Sequence, residues 1–201
     1  MSKKYLVHIV AVDENNGIGY KDGLLFRIKK DLQQFKRLTM GHVCIAGSKT
    51  YDFLPPLKGR EMVRLTRKCK EYREDYAEEN RVIGSVKEYL DGKHWNKSGP
   101  AYVIGGGEVY AATLQDVSVI VMTRIHATAE NCDTFYPDFL TERKPLYCTE
   151  SSRHVDEDSG VSYSFVIYGY DREHLRDFLT RKAKVEKDER QKAESAMARK
   201  T

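Results

Sequence analysis

The chain has 201 residues, of which 40% are hydrophobic and 32% are charged. This length predicts one core domain of about 150 to 170 residues with a short appendage. The net charge is +4, with acids and bases interspersed, which is too mild to indicate nucleic-acid binding. No stretch is long and apolar enough to predict a membrane span, so we expect neither partner.

The cysteines show no pattern of a metal site or of structural disulfides. They are scattered, with no CxxC and no histidine at metal-ligand spacing: Cys44, Cys69, Cys132 and Cys148. The N-terminal run "MSKKYLVHIVAVD" stops at an acid and lacks a small-residue cleavage site, so it predicts a first strand rather than a signal peptide. We therefore expect reduced thiols, no bound metal and a cytoplasmic protein.

The apolar runs predict an α/β fold. Strands are expected at 5–12, 42–47, 62–66, 81–84, 101–105, 117–125, 146–155 and 161–170. Helical patterns fall at 28–39, about 48–54, 85–91 and 107–114. The first strands are nearly continuous apolar runs, as in parallel sheets covered on both faces. The last two alternate more and flank the turn "DEDSG", which predicts an antiparallel hairpin at the sheet edge.

After Tyr170 the composition changes, so we divide the chain into a domain at 1–170 and a charged, helical C-terminal extension at 171–201. Its apolar stripe, Leu175, Phe178 and Leu179, could dock on the domain. Further on, the pairs Glu186–Arg190 and Asp188–Lys192 suit a solvated helix. The extension is interpreted either as a frayed helical tail or as a docking segment for a partner.

The segment "GLLFRIKKDLQQFKRLT" places an acid among apolar residues. At helical spacing one arc of about 120° holds Ile28, Leu32, Phe35 and Leu38. The opposite side holds Lys29, Lys30, Gln33, Gln34, Lys36 and Arg37. Asp31 falls inside the apolar arc, where an unpaired carboxylate costs several kcal/mol.

Three interpretations fit this acid: an N-cap in a capping box with Gln34, a buried ion pair, or a carboxylate that binds a ligand. Because Ile28 already fits the apolar stripe, we expect the helix to begin at 27–29, ahead of Asp31.

Three strand-to-helix or strand-end junctions indicate phosphate binding: "IGGGEVY" at 104–110, "GSKT" at 47–50 and "LTRK" at 65–68. Glycines let backbone N–H groups approach phosphate oxygens, and the other two junctions add cations and hydroxyls. Each alone also fits an ordinary turn, but together they suit a phosphorylated dinucleotide. The polar loop "DENNGIGYKDG" at 13–23 is either a mobile lid or a plain connection.

In this order and spacing, the segments "AVDENNGIG", "DLQQFKRLT", "IAGSKTY", "PLKGR", "LTR", "VIGGGEVY" and "TRIHATAENCDTFYPDF" resemble dihydrofolate reductase over about 5–170. The resemblance implies an eight-stranded mixed sheet flanked by four helices. It also implies NADPH-dependent reduction of 7,8-dihydrofolate to tetrahydrofolate, with hydride transfer to C6 and water-mediated protonation of N5.

The resemblance assigns Asp31 as the acid that binds the pterin, with Thr123 linked to it. It implies catalytic roles for Asp31, Thr123, Leu24 and Phe26, and substrate contacts from Ile9, Asp31, Leu32, Phe35, Leu54, Arg60, Ile104, Tyr110 and Thr123. Arg60 would bind the glutamate α-carboxylate as a bidentate fork. A carboxylate walled by apolar side chains should have a raised pKa when no ligand is bound.

The resemblance also implies an NADPH site lined by Ile9, Ile18, Gly19, Gly23, Gly47, Ser48, Lys49, Thr50, Leu65, Thr66, Arg67, Ile104, Gly105, Gly106, Gly107, Glu108, Val109 and Tyr110. Arg67 is the candidate for the 2′-phosphate. Gly105–Gly106 matches a non-proline cis peptide of the family, and 18–23 match the lid. Asp133 and Thr134 match a loop that steadies this lid.

Several residues depart from the family pattern: Leu25-Phe26 replaces Pro-Trp, Ser48 replaces a basic residue, Ala46-Gly47 replaces Met-Gly, Tyr51 replaces Trp, and Glu108 stands where some relatives carry a cation. They predict an active enzyme with a weakened preference for NADPH and altered antifolate affinity. Two alternatives stay open: a related riboflavin-pathway reductase, or a folate- or NADPH-binding structural component. We expect a monomer.

Overall fold

The computed structural model describes residues 4–68, 81–92 and 99–198, and Cys69 lies outside them. The strands in this part of the chain are β1 (Tyr5–Val12), β2 (Gly17–Tyr20), β3 (Gly23–Leu24), β4 (Val43–Gly47), β5 (Glu61–Leu65), β6 (Arg81–Ile83), β7 (Pro100–Val103), β8 (Val117–Ile125), β9 (Thr134–Phe135), β10 (Tyr147–Glu150), β11 (His154–Val155) and β12 (Ser162–Gly169). The helices are α1 (Lys29–Thr39), α2 (Ser48–Phe53), α3 (Val86–Asp91), α4 (Gly107–Thr113), α5 (Phe139–Glu142) and α6 (Arg172–Ala198).

The central sheet is mixed and mostly parallel, which confirms the expected fold class. Eight strands lie in the order β10-β12-β8-β1-β7-β4-β5-β6, and the short β11 also pairs with β12. Six neighbouring strands are parallel: β8, β1, β7, β4, β5 and β6. Strand β12 runs antiparallel to β8, β10 and β11. The buried, continuous apolar strands therefore lie at the centre, as their composition predicts.

Side chains of β1 alternate between the two faces of the sheet and so divide the core in two. Leu6 and Val10 pack with α3 and α4 on one face. Val7 and Ile9 pack on the other face with Leu38 of α1 and with α6. The helix that carries Asp31 and the helix that follows the glycine turn thus lie on opposite faces.

The four predicted helices are present, and the predicted strands start and end within about two residues of the observed ones, apart from one. The stretch 146–155 was expected as one strand but forms β10 and β11, which pair separately with β12. The loop at 13–23 contains β2 and β3, which form a small sheet with β9 that the sequence did not indicate. The helix α5 was also not predicted.

The apolar arc of α1 is buried only in part. Ile28 and Leu38 are almost completely buried, but Leu32 is 41% exposed, so its expected burial is wrong. Gln34, assigned to the polar side, is buried instead. The reason is that α1 is covered on one flank by the sheet and α6, while the turn that carries Leu32 faces an open surface.

The C-terminal helix α6 docks on the domain through the predicted stripe. Phe178 is fully buried, and Leu175 and Leu179 pack against the same core cluster. Further along, Glu186 pairs with Lys182 at i,i−4 and with Arg37 of α1, where the sequence suggested Arg190 as its partner. None of the helices in the described ranges is long and apolar enough to cross a membrane.

Candidate active site

Asp31 lies in the first turn of α1, and its carboxylate faces β8. The Thr123 hydroxyl donates a hydrogen bond to Asp31 Oδ1 at 2.6 Å, which confirms the expected link. Thr123 is buried, and among the described residues no cation lies within ion-pair distance of the carboxylate. The buried ion pair is therefore not the explanation for this acid.

Asp31 is also not the N-cap of α1. The helix begins at Lys29, as expected, with Ile28 in the N-cap position and no hydrogen bond from that side chain. Instead the Asp156 carboxylate accepts a hydrogen bond from the Lys29 backbone N–H at 3.1 Å. Asp156 belongs to the hairpin turn between β11 and β12, where it also accepts from the Ser159 hydroxyl and N–H. The interpretation left for Asp31 is a carboxylate that binds a ligand.

The electrostatics of Asp31 agree with that role. Burial of the carboxyl group raises the pKa of Asp31, and the hydrogen bond from Thr123 opposes the shift in part. This is the direction expected from the apolar arc, although Leu24 and Leu32 are themselves exposed. Phe26, which replaces the family tryptophan, packs against the neighbouring cluster of Ile28 and Tyr163.

The end of β7 lies beside the middle of β1, next to the glycine turn. The Tyr110 hydroxyl donates to the Ile9 carbonyl at 2.7 Å, and its ring lies against Gly105. Ile104 continues β7 by donating its N–H to the Ile45 carbonyl of β4. Ile9 of β1, Ile104 just after β7 and Tyr110 of α4, all predicted to border the ligands, are thus brought together beside the glycine turn.

Arg60 lies near Phe35, as expected for two residues that contact the same ligand. Its guanidinium is 6.0 Å from the Phe35 ring centroid. It donates from Nε to Thr39 Oγ1 at 3.2 Å and from one terminal nitrogen to the Lys58 carbonyl at 2.7 Å. Two hydrogen bonds orient the guanidinium, and its other terminal nitrogen has no hydrogen-bond partner among the described residues. Leu54 ends α2 on the same stretch and is half-buried.

The glycine turn before α4 is built from close backbone contacts. The Gly105–Gly106 peptide bond is cis, as predicted, and Gly105 has a φ of 116°. Gly47 donates its N–H to the Gly105 carbonyl at 2.8 Å, and a Cβ on Gly47 would lie 2.7 Å from Val109 Cγ2. A Cβ on Gly106 would lie 3.2 Å from Thr50 Oγ1, so the "GSKT" and "IGGGEVY" junctions share one site.

The predicted phosphate-binding cations lie around this turn and already have acidic neighbours. Lys49 pairs with Asp22 at 2.6 Å, which raises the pKa of the lysine. Arg67, at the end of β5, lies 3.8 Å from Glu108 at the start of α4, and both side chains are 94% exposed. The neighbours of Arg67 in the predicted set, Leu65 and Thr66, are half-buried.

Helix α2 is held to β5 by a buried arginine, Arg64, which sequence reasoning missed. Arg64 is 5% exposed and binds both carboxylate oxygens of Asp52, at 2.5 and 3.1 Å. Its guanidinium also stacks on Tyr51 at 4.4 Å and donates to the Ser48 carbonyl. It fixes the helix that carries Lys49 and Thr50. No local signal marks this arginine, because "MVRLT" is typical of an ordinary strand.

The segment 18–23, predicted to be a lid, is tied to the loop that carries Asp133. Lys21 donates its N–H to Asp133 Oδ2 at 3.0 Å, and Asp133 donates its own N–H to the Gly19 carbonyl at 3.1 Å. Thr134 donates to the other Asp133 oxygen and pairs with Gly19 in the small sheet. Of the other lid residues assigned to the cofactor, Ile18 packs against the core and Gly23 is exposed.

The described thiols are free, and no metal cluster accompanies them. Cys44 is buried, Cys132 is half-buried beside the lid, and Cys148 is exposed on β10. Within the described ranges no three histidine, cysteine or acidic side chains group together as metal ligands.

Comparison with known proteins agrees with this geometry. The family model described as dihydrofolate reductase matches residues 5–172. The dihydrofolate reductase of Bacillus subtilis is 31% identical over 163 residues, which covers 80% of this chain and 91% of the relative. That of Mycobacterium tuberculosis is 38% identical over 114 residues, covering 54% of this chain and 65% of the relative. A solved structure of the Enterococcus faecalis enzyme, complexed with NADP(H) and RAB-propyl, superimposes with a TM-score of 0.69. It is 27% identical and covers 83% of this chain and 96% of that one.

A mixed sheet with a glycine turn between β7 and α4, and a half-buried acid bonded to β8, fits a nucleotide-dependent reductase of the α/β class. The match over 5–172 identifies it further: the chain belongs to the dihydrofolate reductase family.

Proposed function

We propose that the chain catalyses the NADPH-dependent reduction of 7,8-dihydrofolate to tetrahydrofolate. The observation that carries the proposal is Asp31, a carboxylate in the first turn of α1 that is neither a cap nor an ion pair and that Thr123 orients. A half-buried acid with a raised pKa suits a fork of N–H donors on a heterocyclic ring.

Asp31 would accept hydrogen bonds from the 2-amino group and the adjacent ring N–H of the pterin. By polarising the ring it would favour a proton from water at N5. The cleft walls would come from Ile9, Leu24, Phe26, Leu32, Phe35, Leu54, Ile104 and Tyr110. Arg60 would bind the glutamate carboxylate with the guanidinium that Thr39 and Lys58 already orient.

The residues around the glycine turn fit a pyrophosphate and a further phosphate. The tight contacts of Gly47 and Gly106 bring the backbone close to any group bound there. Lys49 and Thr50 would hold phosphate oxygens and Arg67 the 2′-phosphate, while Ile18, Gly19 and Gly23 would cover the nicotinamide. The remaining lining would be Ser48, Leu65, Thr66, Gly105, Gly107, Glu108 and Val109. When bound, NADPH supplies the hydride.

The test is the loss of NADPH absorbance with and without dihydrofolate, measured across pH. We expect turnover that requires dihydrofolate and falls as pH rises, because the proton at N5 becomes scarcer. Asp31→Asn is the matched control, since it keeps the size of the side chain and an acceptor for Thr123. Binding of folate or NADPH without turnover would instead support a structural component, and turnover only with a pyrimidine substrate would support a riboflavin-pathway reductase.

We further propose that 1–170 form the catalytic domain, that 171–201 are a helical extension, and that the protein is a cytoplasmic monomer. The monomer is supported by the extension itself, because Phe178 and its apolar neighbours pack against the domain of the same chain. A molecular mass in solution of twice the 23.2 kDa of the chain would contradict the monomer. Capture of a protein by the full chain, but not by a chain ending at 182, would show that the extension docks a partner.

A further inference from the structure

Three hydrogen-bonded side chains, Thr113, His8 and Tyr136, form a buried polar chain. It crosses the core from α4 to the segment that follows β9 and contacts the lid. His8 of β1 is completely buried, and both of its ring nitrogens are occupied. Nδ1 lies 2.8 Å from the hydroxyl of Tyr136, and Nε2 lies 2.8 Å from the hydroxyl of Thr113. None of the three residues belongs to the predicted binding site.

The hydrogen bonds of Thr113 fix the proton positions along this chain. Thr113 donates its hydroxyl proton to the Val109 carbonyl, one turn earlier in α4, at 2.7 Å. Its oxygen therefore accepts from His8, which places the imidazole proton on Nε2. Nδ1 is then an acceptor, and the Tyr136 hydroxyl donates to it. In this arrangement every side-chain group of the three residues has a hydrogen-bond partner.

Each end of the chain is attached to a part of the proposed cofactor site. Thr113 is the last residue of α4, the helix that follows the glycine turn. Tyr136 directly follows β9, and its backbone N–H donates to the Asn16 carbonyl at the base of the lid at 2.8 Å. At the other end of α4 a Cβ on Gly107 would lie 2.6 Å from the Phe135 carbonyl oxygen. Helix α4 therefore meets the segment Phe135–Tyr136 at two points, directly at Gly107 and through His8 at Thr113.

We propose that the Thr113–His8–Tyr136 chain is a positioning device that couples α4 to the lid, so that the glycine turn and the lid are held at the spacing that the cofactor requires. This inference rests on the proposed function, because the ligand between these two elements is NADPH. The dihydrofolate contacts proposed for Asp31 and Arg60 come from α1 and from the turn before β5, which lies beside α1 on the other face of the sheet. Removing the hydrogen bonds between Thr113, His8 and Tyr136 leaves these dihydrofolate contacts in place.

The test uses Tyr136→Phe and Thr113→Val, which keep side-chain size and remove one hydroxyl each. The matched control is Tyr170→Phe, because Tyr170 lies in the same core cluster and its buried hydroxyl has no hydrogen-bond partner among the described residues. We expect both test variants to weaken NADPH binding about tenfold, with the KM for dihydrofolate changed by less than about twofold. The control should behave as the unaltered protein.

A second measurement separates coupling from a general loss of stability and needs no cofactor. Amide hydrogen exchange should accelerate in the test variants at Lys21 of the lid and at Asp133 of the loop that holds it, and stay unchanged in β1 and β8. Equal acceleration in lid and sheet, or unchanged NADPH affinity, would overturn the proposal. So would nitrogen NMR that places the His8 proton on Nδ1. If the unaltered protein bound no NADPH, the proposed function would fail, while the exchange data would still decide the coupling.

Discussion

Acidification should destabilise the protein through His8, a histidine that folding keeps neutral. Complete burial lowers the pKa of His8 to about 3. The groups that face the ring are the hydroxyl of Thr113 and the phenols of Tyr136 and Tyr110. Burial raises the pKa of both phenols, so they keep their protons throughout this range and supply no charge to stabilise an imidazolium.

The direction and the magnitude of this change in stability follow from proton linkage. In the unfolded chain His8 binds a proton near its usual pKa of about 6.5, and in the folded protein only near 3. The unfolded state therefore binds more protons at acid pH, and the contribution of His8 to stability, present above pH of about 6.5, is lost as the pH falls. Between pH 7 and pH 5 the loss is about 2 kcal/mol, and by pH 4 about 3 kcal/mol.

The assay is urea unfolding of the unaltered protein and of His8→Gln from pH 7 to pH 4. Other groups titrate equally in both proteins, so the difference between the two curves isolates His8. We expect the variant to lose about 2 kcal/mol less between pH 7 and pH 5. Parallel curves would refute the reasoning. If the variant does not fold, nitrogen NMR of the unaltered protein decides the matter, since a His8 ring that titrates near pH 6 is incompatible with this account.

Four further outcomes are expected. Asp31→Asn should lower turnover by at least about a hundredfold while raising the free energy of unfolding at pH 7, because it removes a half-buried charge; turnover assays and urea titration check both. Arg60→Leu should raise the KM for dihydrofolate about ten- to a hundredfold at unchanged kcat. A KM for Arg60→Lys as low as that of the unaltered protein would argue against a bidentate contact. Glu108→Gln should tighten NADPH binding about two- to fivefold by freeing Arg67, with little effect on NADH. Asp156→Ala should cost about 1 to 2 kcal/mol in thermal or urea unfolding through loss of the α1 cap, and an unchanged stability would contradict the cap.

The parts of the fold that follow from local pattern could be predicted. Apolar runs located the buried strands, and the stripe from Ile28 set the start of α1 close to Lys29. The position of Asp31 inside that stripe marked it as an acid in need of a partner. The cis peptide, the lid and the link to Thr123 came from the family resemblance, because periodicity carries no information on them.

What the sequence could not indicate are contacts between residues far apart in the chain. The cap of α1 joins residues 127 positions apart, and the hydrogen bond of His8 to Tyr136 joins residues 128 apart. The lid strands and β9 are too short to show an alternation of apolar and polar residues. Leu32 was placed wrongly because a helical wheel shows which residues share an arc but not how much of that arc a neighbour covers.

The place of β12 in the sheet has a consequence for synthesis of the protein. This strand is the last in sequence but inserts between β10 and β8, where it pairs along Thr123, and the hairpin turn that leads into it carries the cap of α1. Until these residues leave the ribosome, the nascent chain lacks the strand that pairs along Thr123 and the cap of the helix that carries Asp31. The edge of β8 is then exposed. The ligand site is therefore completed only when almost the whole chain has emerged, and until then the unpaired strand is open to association with other chains.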